Sequence, residues 1–358
     1  MNRKTKKALK NALPFLIATL LFILIELMIN KAFGMKLTNQ MKQQIVPLCC
    51  WVVMALSLNL VVGISGELSL GHAGFMSIGC FTGVVTNAWL VNAGVQDMVP
   101  RVIITFICAG LMSCIFGVLI GIPVMRLRGD YLAIVTLAFG QIIMNLMNCV
   151  YVSIEGTKLS FSFIEPIRTG TGIVNGSSAT TLVQGAKIAP DKGGFVIGFI
   201  LVIFTLIVVL NLVNSRSGRA IMAVRDNRIA AESTGVNVTK YRLMAFVISA
   251  TLAGMAGALF GMNSTVSPVK FSVNESIDSL VFVVLGGIGN MSGSIISTVV
   301  LKVLPEQLRF LNEYRMLIYA IVLILVMLLT NSKSVRNLFT SFVALFKRNK
   351  ADEEKEVK

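Results

Sequence analysis

The chain has 358 residues; 55% are hydrophobic, only 14% are charged, and the mean hydropathy is +0.80. Soluble domains carry about 25% charged residues, so a soluble enzyme or binding module is excluded and a polytopic membrane protein is implied. The net charge of +15 does not point to nucleic acid, because the Lys and Arg residues sit in short loops and tails beside apolar runs, where they set orientation across a bilayer.

Apolar runs near the roughly 20 residues that cross a bilayer predict spans at 13–29, 45–62, 75–90, 102–125, 131–147, 194–213, 245–262 and 317–329. Arg3, Lys4, Lys6, Lys7 and Lys10 precede the first run, and no small-residue cleavage site follows it. That reads as an uncleaved signal anchor with residues 1–12 in the cytoplasm. Glu26 lies near the outer end of this span. The six cysteines (Cys49, Cys50, Cys80, Cys108, Cys114, Cys149) mostly fall inside apolar runs without C-x-x-C spacing. They read as small buried residues, not as a disulfide framework or metal site.

Between the second and third spans runs Gly63-Ile-Ser-Gly66-Glu-Leu-Ser69-Leu-Gly71-His72-Ala-Gly74, which holds the only histidine. Three readings compete here. It is a tight connection made possible by glycine, or a stretch of exposed backbone lining a solute path, or a protease site. Gly63-Ile-Ser65-Gly66 fits the G-x-S-G string of rhomboid intramembrane proteases. Those place the base histidine on a later helix, however, whereas His72 is only seven residues on. The fifth span carries Thr136, Gln141, Asn145 and Asn148, and Thr136 shares a helix face with Gly140. That side either lines a path or bonds a neighbouring helix. The pairs Gly117/Gly121, Gly194/Gly198 and Gly257/Gly261 permit close helix approach, for packing within the chain or for a dimer seam.

The loop 149–193 is rich in Gly, Ser and Thr and too short for a core of its own, so a cap over the outer face is expected. A basic island at 215–243 follows the sixth span. It sets Arg216, Arg219, Arg225, Arg228, Lys240 and Arg242 against only Asp226 and Glu232. Ile221, Val224, Ile229, Ala230 and Ala231 fit short helices with an apolar face, and Gly235 offers a helix stop. The island reads as a docking surface for a cytoplasmic partner. No G-x-x-x-x-G-K-[ST] phosphate loop is present, so ATP is not bound here by that route. Nearly no ionisable residue falls within the spans, which argues against proton or sodium coupling.

The run 280–304 is broken by Gly286-Gly287-Ile-Gly289-Asn290-Met-Ser-Gly293. A basic N-terminus inside, followed by alternation, puts the island inside and 149–193 outside. The tail with Lys333, Arg336, Lys347, Arg348 and Lys350 then ends inside only if 280–304 dips in and returns. Two half-helices meeting at the glycines satisfy that; the alternative is one kinked span. Residues 335–346 put Leu338, Phe339, Phe342, Val343 and Phe346 at helical spacing, an amphipathic helix lying on the inner membrane surface.

Four segments give the chain a family resemblance. They are Leu58-Asn59-Leu-Val-Val-Gly63 running into Gly66-Glu-Leu-Ser-Leu-Gly71-His72-Ala; Arg126-Leu-Arg-Gly129-Asp130-Tyr131-Leu-Ala-Ile-Val-Thr136-Leu-Ala-Phe-Gly140; Gly218-Arg219-Ala with Ala230-Ala-Glu232-Ser-Thr-Gly235; and Val284-Leu-Gly286-Gly-Ile-Gly289-Asn. Across about 45–329 the chain resembles the M-type (LivM-like) permease subunit of bacterial ABC importers for branched-chain amino acids. There are two departures. The glutamate of the E-A-A…G loop follows the alanines, and Gln141 stands where a glutamate is expected after Phe-Gly.

The resemblance implies a transport subunit rather than an enzyme, with no catalytic residue, metal or cofactor. The expected partners are an H-type permease subunit, two cytoplasmic ATPase subunits and an extracytoplasmic solute-binding protein. The site is the bacterial cell membrane. A same-type permease for urea, short amides or a broader set of amino acids is the alternative. The expected fold is all-α, with about eight spanning helices plus a re-entrant pair of half-helices. The permease domain is 13–331 and a cytoplasmic tail 332–358. The expected ATPase-coupling residues are Arg219, Arg225, Ala230, Ala231, Glu232 and Gly235. The expected translocation path comprises Gly66, Ser69, Gly71, His72, Thr136, Gly140, Gly286, Gly287 and Gly289.

Overall fold

The computed structural model describes residues 12–23, 39–95, 97–127, 129–155, 158–162, 181–182, 194–264, 266–307, 314, 317–321 and 323–324. Residues 1–299 form one compact unit and 300–358 a second. Of the second, the described residues are the helical stretch to Gln307, Tyr314 and a short helical piece around 317–324. Glu26 and the expected amphipathic tail lie outside the described residues.

Among the described residues six helices are long and apolar enough to cross a membrane, and they match six of the eight predicted spans. They are α2 (Asn39–Asn59, extended by a π-helical turn Leu60–Ser65), α3 (His72–Asn92), α4 (Met98–Val124), α5 (Asp130–Cys149), α6 (Gly194–Asn214) and α9 (Val238–Asn263). The first predicted span is represented by the shorter helix α1 (Ala12–Ile23). The last is described only in part.

Burial separates a centre from a periphery. The most apolar window is 89% buried in α2 and its π turn, 72% in α3 and 67% in α9, but only 22% in α5. On α4 the exposed residues Ile103, Ile107, Leu111, Ile115 and Leu119 recur every four positions, an apolar stripe suited to lipid. With no apolar gain between helices in lipid, close approach of small residues holds such bundles together. A Cβ on Gly79 of α3 would overlap the Gly254 backbone of α9, and one on Gly83 would overlap Ala258. Across the other face of α9, Ser113 of α4 fills the space left by Gly254. The three G-x-x-x-G pairs all pack within the chain: Gly117/Gly121 on α9, Gly194/Gly198 on Asn263 and Cys49, and Gly257/Gly261 on Met76 and Cys80.

The loop after α5 departs from the all-α pattern. Strands β1 (Tyr151–Glu155), β2 (Lys158–Ser162) and β3 (Thr181–Leu182) form an antiparallel sheet in the order β2-β1-β3, with Val152 opposite Phe161 and Ile154 opposite Leu159. Apolar residues alternate along β1 and β2, the signal of period 2. It passes unnoticed in a loop judged by its Gly and Ser content.

The broken run resolves into α10 (Val273–Gly286) and α11 (Met291–Gln307), joined by a turn with Gly287 at φ +91 and Gly289 at φ +81. The helices fold back on each other. A Cβ on Gly286 would collide with Gly293, and Ser297 Oγ donates to the Phe282 carbonyl. Paired positions 286/293 and 282/297 make this an antiparallel hairpin rather than one kinked helix.

Candidate transport site

Three polar N-caps cut the basic island into helices. Ser215 Oγ accepts from Gly218 N at 3.0 Å and opens α7 (Arg216–Asp226). Asn227 Oδ1 accepts from Ala230 N at 3.1 Å and opens α8 (Arg228–Ser233), and Asn237 Oδ1 accepts from Lys240 N at 3.0 Å to open α9. Each such cap is worth about 1 kcal/mol. Val224, Ala231 and Val238 form a small buried cluster with Val236 against it, and Ile221 is buried in the main core. Ile229 does not share that apolar face: it is 80% exposed, with Ala230 exposed beside it. The cap at Asn227, φ −154, restarts the helix and resets its register.

Gly235 ends α8 in the left-handed region, φ +80. Val236 N bonds the Ala231 carbonyl at 3.1 Å and Gly235 N the Glu232 carbonyl at 3.0 Å, the double closure of a Schellman motif. Glu232 is exposed and paired with Arg228 at 2.9 Å, a surface pair of small energetic weight. Arg219 reaches back to the Asn214 carbonyl at the end of α6, 3.2 Å.

Arg225 faces the other way. Its Nη1 donates to the Gly63 carbonyl in the π turn at 2.9 Å, and its stem lies over Gly66, where a Cβ would overlap Cγ. Gly66 itself caps the turn at φ +75. Gly63 in turn touches the hairpin: a Cβ there would overlap Gly289 N and Cα. Asn59, fully buried, accepts from Gly289 N at 2.8 Å and donates to Ser294 Oγ at 2.9 Å. Gly66, Gly287, Gly289 and Arg225 thus gather at one end of the bundle, with Gly286 set against Gly293.

A second group forms around α5. Thr136 Oγ1 accepts from Leu70 N at 3.1 Å, and a Cβ on Gly71 would overlap the Thr136 carbonyl. Gly140 packs on Gly71, and a small cleft here is lined by Phe75, Ile120, Phe139, Gly140, Ile143 and Phe246. The polar side of α5 is therefore partly a helix contact. Gln141 Oε1 and Ser69 Oγ are buried without a hydrogen-bond partner among the described residues. His72 is the first residue of α3, 1% exposed, with Nε2 2.8 Å from Ser57 Oγ; Ser57 Oγ lies 2.9 Å from the Met54 carbonyl. The histidine joins α3 to α2 and has Ser57, not Ser65, as its hydroxyl partner.

Sequence reasoning passed over an ion pair. Arg242 at the start of α9 binds Glu67 through Nε and Nη2, the latter at 2.5 Å from Oε2, and both side chains are nearly buried. Its Nη1 also donates to the Met125 carbonyl at 3.0 Å, fastening α9 and the loop after the π turn to the end of α4. Glu67 is the only acidic residue between Glu26 and Asp97. A lone carboxylate amid apolar sequence needs a partner when buried, and that was the available signal. Asn59 was visible only as part of a signature, with nothing in its neighbours to name its distant partners.

A bundle of apolar spans, a folded polar island bonded to a broken helix, and a Gly-hinged hairpin beside that break define an integral membrane protein whose membrane part is all-α. The model of the branched-chain amino acid transport system permease component family matches residues 40–327, and the chain belongs to that family. It is 36% identical over 292 residues to the high-affinity branched-chain amino acid transport system permease protein LivM of Salmonella typhimurium, and equally to that of Escherichia coli. The alignments cover 78% of this chain and 66% of each relative, so the chain spans just under two thirds of their length. The fructose import permease protein FruG of Bifidobacterium longum is 23% identical over 84% of this chain and 85% of its own length. No solved structure matches.

Proposed function

We propose that this chain is a transmembrane permease subunit of an ATP-driven importer that carries branched-chain amino acids across the bacterial cytoplasmic membrane. The observation that carries the reading is the family match over residues 40–327, joined to 36% identity with relatives named for that solute class. A relative named for fructose stands at 23%, so the names at 36% guide the choice of solute.

The island lies in the cytoplasm and offers Ile229, Ala230, Glu232 and the Gly235 turn to an ATPase subunit; 149–193, with its sheet, lies outside and meets the binding protein. A second, H-type permease completes the membrane part, and two ATPases supply the energy. The solute passes beside the Gly66–Gly71 loop and the hairpin. Helix ends at the Gly breaks supply dipoles for the ammonium and carboxylate. The test is reconstitution of this chain with the second permease, the two ATPases and the binding protein in proteoliposomes. ATP-dependent leucine uptake that requires the binding protein is the expected result; uptake of another solute with none of leucine, isoleucine or valine would overturn the substrate assignment.

A further inference from the structure

We propose that Arg225 and Asn59 form a mechanical relay: Arg225 ties the island to the π turn of α2, and Asn59 ties that turn to the hairpin tip, so that motion of α7 moves the hairpin. The relay rests on the transport reading above and adds to it the two side chains through which the island acts on the membrane part.

Four observations support it. First, the end of the π turn leaves an acceptor. Gly63 lies in the last turn, where carbonyls lack partners within the helix, and the left-handed Gly66 sends the Glu67 amide to the Val61 carbonyl at 3.1 Å, so that Arg225 Nη1 takes Gly63. Second, the guanidinium is aimed. Asp226 Oδ1 holds Nε at 3.0 Å and Nη2 at 2.9 Å, leaving Nη1 for the carbonyl. Third, the contact between the turn and the hairpin is backbone on backbone, Gly63 against Gly289, with no flexible side chain to absorb displacement. Fourth, Asn59 holds the hairpin at two points, Gly289 N in the turn and Ser294 Oγ in α11. π turns are frequent at functional sites, where an extra residue reshapes a helix locally. Packed contacts of this kind shift between discrete arrangements rather than deform continuously.

The test uses the complete transporter. Arg225→Ala and Asn59→Leu should each retain ATPase subunits on co-purification and still hydrolyse ATP, while the ATP consumed per leucine imported rises roughly tenfold, within the range of site-to-site coupling. The double variant should be no worse than either single one, because both cut the same path. Arg225→Lys, which keeps the charge but not the fork, should fall between. Arg225→Ala lies at the surface end of the path and carries the test alone if Asn59→Leu does not fold. An unchanged ratio in Arg225→Ala overturns the relay. Loss of the ATPases from that variant also overturns it, and assigns Arg225 to docking.

A second readout needs no transported solute. Ile288, at the hairpin tip, is 60% exposed. An Ile288→Cys substitution in otherwise unaltered protein should change its rate of labelling by a maleimide when ATP binds, and Arg225→Ala should abolish that change. Labelling at residue 288 that ignores ATP overturns the relay whatever the solute proves to be.

Discussion

At Gly235 the backbone alone limits substitution, since a Cβ there would meet nothing within 4 Å. The left-handed conformation costs an ordinary residue about 1–2 kcal/mol, and asparagine less. Uptake should therefore fall in the order Gly235→Asn, Gly235→Ala, Gly235→Val, with insertion in the membrane intact in all three; normal transport by Gly235→Val would refute a coupling role for the turn. Arg242 is limited by charge instead. Removing it leaves the Glu67 carboxylate nearly buried and alone, a loss of about 3–5 kcal/mol. Arg242→Ala should lower the melting temperature of the detergent-solubilised protein more than Glu67→Gln, which leaves the Arg242 bond to the Met125 carbonyl. Equal effects would mean that the pair, not the carbonyl, is all that matters.

Among the elements, the long helices were the most legible, because an apolar run near 20 residues has few other readings. The short ones were harder. Ile221, Val224 and Ile229 fit one apolar face by spacing, but Asn227 divides them, and a cap is recognised only when its side chain is seen to accept the third amide on. The Gly-rich break was legible as a break, while the antiparallel pairing of α10 and α11 depends on Gly286 meeting Gly293. A Gly293→Val substitution should force the two helices apart, because its Cβ would overlap the Gly286 carbonyl. Uptake should be lost and protease cleavage near 287–290 should increase. Wild-type uptake and an unchanged digest would show that the hairpin tolerates separation.

For the whole molecule, sidedness follows from where the hairpin returns the chain. If α10 and α11 enter and leave by one face, the basic tail lies in the cytoplasm. A Ser334→Cys substitution should then resist a membrane-impermeant thiol reagent in intact cells and react in inside-out vesicles. Ready labelling from outside would reverse that placement. Much of the candidate site was legible as motif: Gly66 and Gly71, Thr136 with Gly140, and Gly286 and Gly289 lie at close contacts. Their pairing was not, because partners such as Asn59 and Ser294 stand 235 positions apart, and no local pattern encodes a hydrogen bond of that span.

The π turn at Leu60–Ser65 also has a meaning in terms of phase. A π turn holds one more residue than the α-helix around it needs, so everything beyond Asn59 is rotated by about 100° relative to an uninterrupted helix of 3.6 residues per turn. That single surplus residue lets one helix present Asn59 to the hairpin and, four residues on, the Gly63 carbonyl to the island. Shortening the turn by one residue would leave composition and hydropathy almost untouched, yet it would turn the Gly63 carbonyl away from Arg225 and swing the loop bearing Glu67 away from Arg242. In this protein a length, rather than a side chain, fixes which groups this segment turns toward each of its neighbours.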